Sequence, residues 1–330
     1  MKVLLTKPFF EKDIQYIKNK VHKDIELIIP NEYNDEVLAS LAPDCEVLFG
    51  PYLSETLLSN AKNAKLIQIP WTGVDNLNFD LINKYNIPVA NSHSNAEIVA
   101  EHAVALMFDS VKKISFHDRL MRNGDWNRPG QENNVIDTFS HKVTKSNIAL
   151  IGFGSIGKKV YKLLNGFDCN FNVFNRSGKG EELQNVKYYN INQLNAEIAN
   201  SNIIFVCIAL TEETKNMLSD DFFAHLNKNT IIVNISRGEV FNENALYNAL
   251  KSNQNLFAAI DTWYQYPSKE FPFVFPSSNN FQELDNITMS PHRAGMLLDG
   301  LPHLDDAIEN LNRLIQNLDP INIVSIQDKY

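Results

Sequence analysis

Cysteine is scarce: Cys45, Cys169 and Cys207 are the only three in 330 residues. No two of them stand at metal-ligand spacing, which argues against a thiolate metal site. Each lies in or beside a strand-like apolar run ("CEVLFG", "CNFNVF", "FVCIAL"), so they read as buried thiols of a reducing compartment. Long apolar runs are also missing. No stretch approaches the roughly 20 residues of a membrane span, and the opening "MKVLLTKPFFEKD" lacks the sustained apolar segment of a signal peptide. A cytoplasmic protein with no membrane partner is expected. Positive charge is in deficit, with 30 Lys and Arg against 39 Asp and Glu for a net charge of −9, and no long like-charge block occurs. That balance argues against nucleic acid as a partner, and an anionic ligand must be captured by local groups. Solenoid-period repeats and low-complexity tracts are absent as well.

What is present is a globular composition, 44% hydrophobic over a length that suggests two domains. Short apolar runs ("KVLLT", "IELIIP", "CEVLFG", "AKLIQIP", "IPVAN") alternate with helical or polar stretches, the rhythm of a parallel βα unit. A second series follows: "NIALIG", "FNVFN", "NIIFVCIA", "TIIVNIS", "LFAAIDT" and "NITMS". Between the two, Ser94 and Glu97 have capping-box spacing and Gly124 supplies a stop, predicting one bridging helix of about 40 Å. The last amphipathic stretch puts Leu304, Ile308, Leu311, Ile315 and Leu318 on one stripe, and this helix is expected to return to the first unit. Residues 267–283, "PSKEFPFVFPSSNNFQE", form the one long irregular segment, a surface connector or a pocket wall.

"IALIGFGSIGKKVYKLL" carries Gly152, Gly154 and Gly157 as G-x-G-x-x-G, after a strand and at the opening of a helix. That context provides a tight turn, close backbone approach to a pyrophosphate and amides at a positive helix end, so a dinucleotide site is expected. A binder of NAD normally offers an acid about 20 residues further on. Here the next strand ends "VFNRSGKG". Asn175 has no charge to repel a 2′-phosphate, Arg176 grips one as a fork, Ser177 donates to it and Lys179 adds a second cation, which favours NADP over NAD. A polar turn with a solvated arginine is the alternative.

"VAEHAVALM", "GFGSIG", "NISRGEVFNENALYNAL", "AAIDTW" and "SPHRAG", in that order, resemble the D-isomer-specific 2-hydroxyacid dehydrogenases. The likeness runs from the "PWTGVDN" loop to the last helix. It implies an α/β fold of two Rossmann-like, doubly wound parallel-sheet domains. The nucleotide domain, residues 99–295, is inserted into a flavodoxin-like substrate domain, residues 1–98 and 296–330, with the active site in the cleft between them. It further implies that Arg237 binds the substrate carboxylate and polarises its carbonyl, as a guanidinium is suited to do. A cation capping the strand-to-helix turn is the alternative for Arg237. His292, one of eight histidines, would be the general acid in reduction and the base in reverse. Asp261 would hold the nicotinamide carboxamide, while Phe153, Ser155, Ile156, Cys207, Leu210, Ile235 and Gly295 complete the cofactor contacts. Gly73 and Val74 would offer backbone amides to the carboxylate, with Thr72 and Trp71 lining the pocket; a packed structural tryptophan accounts for Trp71 equally well. A homodimer through the helical region near residues 95–122 is implied too.

One departure is chemical. The family reads D-V-F-x-x-E-P, with the glutamate paired to the histidine, whereas this chain reads "DTWYQYP" and has Tyr266 in the glutamate's place. A neutral phenol supplies little charge to an imidazole. Glu270, Glu283 or Asp285 folding back toward His292 would be a substitute. The leading expectation is an NADP-dependent reductase of small 2-keto acids such as glyoxylate, hydroxypyruvate or pyruvate. A dinucleotide-sensing scaffold without turnover, and a dehydrogenase of a small anion such as phosphite or formate, remain as alternatives.

Overall fold

All eleven apolar runs become strands in the computed structural model, which describes residues 1–126 and 140–330. In the first unit these are β1 (Lys2–Leu5), β2 (Glu26–Ile28), β3 (Val47–Phe49), β4 (Leu66–Gln68) and β5 (Val89–Ala90). They form one parallel sheet in the order β2-β1-β3-β4-β5. The second unit holds β6 (Asn147–Ile151), β7 (Asn170–Asn175), β8 (Val186–Asn190), β9 (Ile203–Val206), β10 (Ile231–Asn234), β11 (Phe257–Ile260) and β12 (Ile287–Met289). Its parallel sheet runs β12-β11-β10-β9-β6-β7-β8. The strand order reverses between β1 and β3 in one sheet and between β6 and β9 in the other. Both are doubly wound, and such sheets take ligands outside the carboxyl ends of their strands at those reversals.

The two units comprise Met1–Asn95 with Met296–Tyr330, and Ala96–Gly295. Central strands such as β9, β10 and β11 are buried on both faces, which is why they read as unbroken apolar runs. The edge strand β8, "VKYYN", has no such run and lies at the sheet's margin beside β7. In the first unit the last helix, Asp305–Ile315, buries Ala307, Ile308 and Leu311 against Val3, Leu5 and Phe49, so the chain's end does return to its beginning.

Three local expectations are corrected. The single 40 Å helix is two helices, Ala96–Lys112 and Ile114–Arg122, because Lys113 adopts φ 55° between them. Asp109 drives the break: its carboxylate accepts the Ser115 amide and hydroxyl at 2.8 Å each and so caps the second helix, while the buried Lys113 ammonium sits 5.0 Å from the Phe257 ring. The Ser94 and Glu97 capping box gives way to other partners. Ser94 Oγ accepts the Asp306 amide at 3.0 Å, Glu97 pairs with Lys159 at 3.5 Å, and the helix starts at Ala96. Leu318 leaves its stripe; the helix stops at Ile315, Asn317 turns left-handed at φ 57°, and Leu318 is exposed.

Candidate active site

The phosphate loop joins β6 to the helix Ser155–Leu164. Its three glycines have different physical reasons. A Cβ on Gly152, at φ 92°, would lie 2.7 Å from the Cys207 carbonyl oxygen, and one on Gly157 would lie 2.6 Å from the Gly152 oxygen. These two are required by the protein's own packing. Gly154 has nothing within 4 Å of where its Cβ would be. The position whose missing side chain lets a pyrophosphate approach is thus the open one, at the end of a helix whose first amides lack intrahelical partners. Ser155 is exposed there, Ile156 is half-buried, and Phe153 packs edge-on to Tyr161 and Tyr188. Across the reversal point, Cys207 follows β9, and burial pushes its thiol up to about 12, so it stays protonated. Leu210 is half-buried on the second unit's core, and Ile235 is buried after β10.

At the end of β7 the Asn175 side chain is spent on the loop. Its Oδ1 accepts the Gly178 amide at 2.7 Å and its Nδ2 donates to the Lys179 carbonyl at 2.9 Å. Ser177 Oγ donates to the same carbonyl at 3.1 Å and accepts the Lys179 amide at 3.2 Å. Arg176 and Lys179 remain exposed, with Glu213 3.8 Å from the guanidinium. The residues present suit a dinucleotide: an unfilled glycine cradle and, beyond it, cations at the next strand's end.

Arg237, Tyr266 and His292 follow the neighbouring strands β10, β11 and β12 respectively. Asn234 holds the first turn. Its Oδ1 accepts the Ser236 amide and hydroxyl at 3.1 Å each, its Nδ2 donates to the Arg237 carbonyl at 3.0 Å, and Arg237 Nη1 donates to the Ser236 carbonyl at 2.8 Å. Gly238 presses on the next turn, where its Cβ would come within 2.6 Å of the Trp263 backbone. Trp263 in turn donates its indole N–H to the Ser290 carbonyl at 2.8 Å, and its backbone N–H to Tyr266 Oη at 3.0 Å. The Tyr266 hydroxyl is therefore anchored on the backbone, and its ring, 48% exposed, meets His292 at 5.5 Å between centroids with a 53° tilt. None of Glu270, Glu283 and Asp285 pairs with His292 among the described residues; Glu283 accepts Asn280 at 2.9 Å instead.

His292 is exposed and stands at φ 54°, a left-handed backbone that costs a non-glycine residue about 1 kcal/mol or more and persists only where its surroundings impose it. The surroundings here are Asp261. This carboxylate, 1% exposed, accepts the Ser290 hydroxyl at 2.5 Å and the Arg293 and Ala294 amides at 2.9 and 3.2 Å, bracketing His292 on both sides. His102, from the helix Ala96–Lys112, lies 3.1 Å from Ser290 Oγ and 3.5 Å from Asp261. Burial alone would raise the Asp261 pKa, but the donors from His102, Ser290, Arg293 and Ala294 outweigh it and hold the group at about 2. Asp261 is thus an ionised clamp on the histidine loop, a role not visible in its sequence motif. His102 and Ser290 lay inside the quoted motifs "VAEHAVALM" and "SPHRAG", yet nothing in their spacing joined them. Gly295, half-buried, ends this unit.

In the first unit the "PWTGVDN" loop follows β4. The Trp71 carbonyl accepts Ser92 N–H at 3.2 Å, the Thr72 carbonyl accepts Asn91 Nδ2 at 2.7 Å, and Thr72 Oγ1 donates to the Ser92 carbonyl at 2.8 Å. Among the described residues the Gly73 and Val74 amides donate to no protein acceptor, so the loop's carbonyls are tied back and its donors are left over. That asymmetry suits an anion. No group of three metal-ligating side chains occurs among the described residues, and no helix of theirs is long and apolar enough to cross a membrane.

Comparison with known proteins extends these observations. The D-3-phosphoglycerate dehydrogenase of Archaeoglobus fulgidus is 27% identical over 99% of this chain and 60% of its own length, and that of Methanocaldococcus jannaschii is 26% identical over 89% and 53%. The chain thus spans little more than half the length of these two relatives. The glyoxylate reductase of Pyrococcus horikoshii is 24% identical over 88% of this chain and 85% of its own. A solved D-isomer specific 2-hydroxyacid dehydrogenase from Xanthobacter autotrophicus, in complex with NADPH and MES, shares the fold with a TM-score of 0.79 at 19% identity, covering 100% of this chain and 99% of that one. A profile described as the NAD binding domain of D-isomer specific 2-hydroxyacid dehydrogenases matches residues 104–294, the segment that carries the glycine loop, Arg237, Asp261 and His292, and the chain belongs to that family.

Proposed function

We propose that this protein interconverts a small 2-keto acid and the corresponding D-2-hydroxy acid with NADP(H), NAD(H) being the weaker cofactor. The carrying observation is His292, exposed in a left-handed backbone that Asp261 enforces from both sides. A buried carboxylate that gathers donors from both sides of His292 fixes the backbone that carries one exposed imidazole, as suits a group held for chemistry. When bound, the dinucleotide supplies or receives the hydride at the substrate's carbon. The open Gly154, with the Ser155 and Ile156 amides, holds its phosphates, on a loop whose turn Gly152 and Gly157 make possible. Arg237 takes the carboxylate in a two-pronged contact and polarises the ketone. The imidazolium of His292 gives its proton to the ketone oxygen in reduction, and the neutral ring accepts it back in oxidation.

Support for NADP comes from the β7 end, where no carboxylate stands among residues 175–179 and Arg176 and Lys179 are exposed. The Glu213 contact of Arg176 is an exposed pair worth at most about 1 kcal/mol. Three free cysteines, two of them fully buried, accord with a reducing cytoplasm. A homodimer is part of the same reading; Ile114 and Met121, on a helix that buries none of its residues, are its supporting apolar surface, and light scattering tests it. Absorbance loss of NADPH and NADH with glyoxylate, hydroxypyruvate and pyruvate tests the function. Turnover favouring NADPH at least about tenfold, and falling to parity in Arg176→Ala, is the expected result. Binding of NADPH without consumption on any keto acid overturns it.

A further inference from the structure

We propose that Lys7 is an anion-binding residue that takes the carboxylate of a 2-keto acid at the carboxyl edge of the first unit's sheet. It rests on the reading above for the identity of the anion, and on the following geometry for the site. Lys7 comes two residues after β1, and Gly50 directly after β3; these adjacent strands flank the point where the sheet's order reverses. Open α/β sheets bind their ligands outside the strand ends at that point.

The local packing is arranged around the lysine. Gly50 stands at φ 131°, and a Cβ there would come 2.6 Å from Thr6 Oγ1 and 3.3 Å from Lys7 Cγ, so glycine leaves room for the lysine stem. The ammonium lies 4.7 Å from the Trp71 ring centroid and 5.0 Å from that of Phe9. Two aromatic faces hold a cation without neutralising it. No carboxylate forms an ion pair with Lys7 among the described residues. Asp13 attracts it from farther away, its own carboxylate engaged by the Phe10 amide at 3.2 Å, and His303 shares the neighbourhood. Burial lowers the Lys7 pKa, which marks an ammonium short of compensating charge. Thr6 Oγ1, fully buried, has no hydrogen-bond partner.

The ring under the ammonium belongs to the loop whose Gly73 and Val74 amides have no acceptor. A half-buried cation over the ring of that loop, and two amides of the same loop with no acceptor, share one lack, that of an anion. A flat carboxylate meets it, with Lys7 as a point charge and the amides as directional donors.

Isothermal calorimetry with oxalate, whose adjacent carboxylates imitate the keto acid's polar face, tests the proposal in the presence of reduced cofactor. Lys7→Met is expected to weaken oxalate binding about tenfold and Lys7→Arg by no more than about threefold. In turnover, Lys7→Met raises KM with kcat largely kept, since the lysine binds rather than transfers a proton. Thermal melting checks the fold, and Lys7→Gln replaces the methionine variant should that one not fold. Oxalate affinity in Lys7→Met within about twofold of the parent overturns the proposal, as does a parent protein that binds no oxalate. The two readings separate cleanly: keto acid turnover with a lysine-independent oxalate affinity sinks only the Lys7 site, whereas lysine-dependent binding without turnover sinks only the reductase.

Discussion

Replacing Tyr266 by glutamate restores a charge beside His292 and is expected to move the pH dependence of reduction, not its ceiling. Ring centroids of the two residues are 5.5 Å apart. At that distance a carboxylate and an imidazolium attract by about 3 kcal/mol at an effective dielectric near 20, and by about 0.8 kcal/mol in bulk water. Tyr266 is half exposed and His292 exposed, so the lower part of the range applies, about 1 to 2 kcal/mol, or roughly one pKa unit.

The sign follows from which form works. Reduction needs the imidazolium; a neighbouring carboxylate favours the charged ring, so it stays protonated to higher pH and the alkaline limb moves upward. Absorbance loss of reduced cofactor, read as kcat/KM from about pH 5 to 10 on a keto acid the parent turns over, measures that limb. Tyr266→Gln is the control. It too removes the acceptor of the Trp263 amide but adds no charge, and it should leave the limb in place. A limb that stays put or moves down in Tyr266→Glu, with both variants folded, refutes the electrostatic reasoning.

The glycines of the phosphate loop should separate folding from binding: Gly154→Ala folds like the parent but loses dinucleotide affinity, whereas Gly152→Ala and Gly157→Ala lower the melting temperature. Melting curves and cofactor titration read the two effects. Asp261 makes a statement about acid stability, because its pKa is held at about 2 against an ordinary 3.8. A depressed carboxylate stabilises the fold above its unfolded pKa and loses that contribution as pH falls through the folded value, so about 2 kcal/mol should vanish between about pH 4 and 2. Urea midpoints should show this acid-limb decline in the parent and not in Asp261→Asn, which is less stable at neutral pH; equal declines in both would count against the clamp.

How far the sequence carried depends on the length scale of each signal. Continuous apolar runs announce strands buried on both faces, and G-x-G-x-x-G announces its own turn, so β6 and its loop were legible together with the strand ends bearing Arg237 and His292. The edge strand β8 was not, because half-exposed "VKYYN" carries no apolar run. The helix break at Lys113 was hidden for a different reason: it depends on Asp109 reaching Ser115, a tertiary choice between a straight helix and a capped restart. The Asp261, Ser290 and His102 cluster joins residues as far as 188 positions apart, and only the pairing of β11 with β12 and the packing of the helix Ala96–Lys112 against them bring these residues together.

That cluster also explains why the chain can dispense with an acid at position 266. A glutamate paired to a catalytic histidine does two things at once: it orients the ring and it supplies charge. Orientation here has an independent source, since Asp261 fixes Ser290 on one side of His292 and the Arg293 and Ala294 amides on the other, and the Tyr266 ring leans on the imidazole from a hydroxyl anchored at Trp263. What Tyr266 itself does not bring to the ring is a carboxylate's charge. The consequence is that charge-changing substitutions at 266 should shift the pH limbs while the plateau kcat stays near that of the parent. Loosening the clamp through Ser290→Ala should do the reverse, lowering the plateau and leaving the limbs where they are.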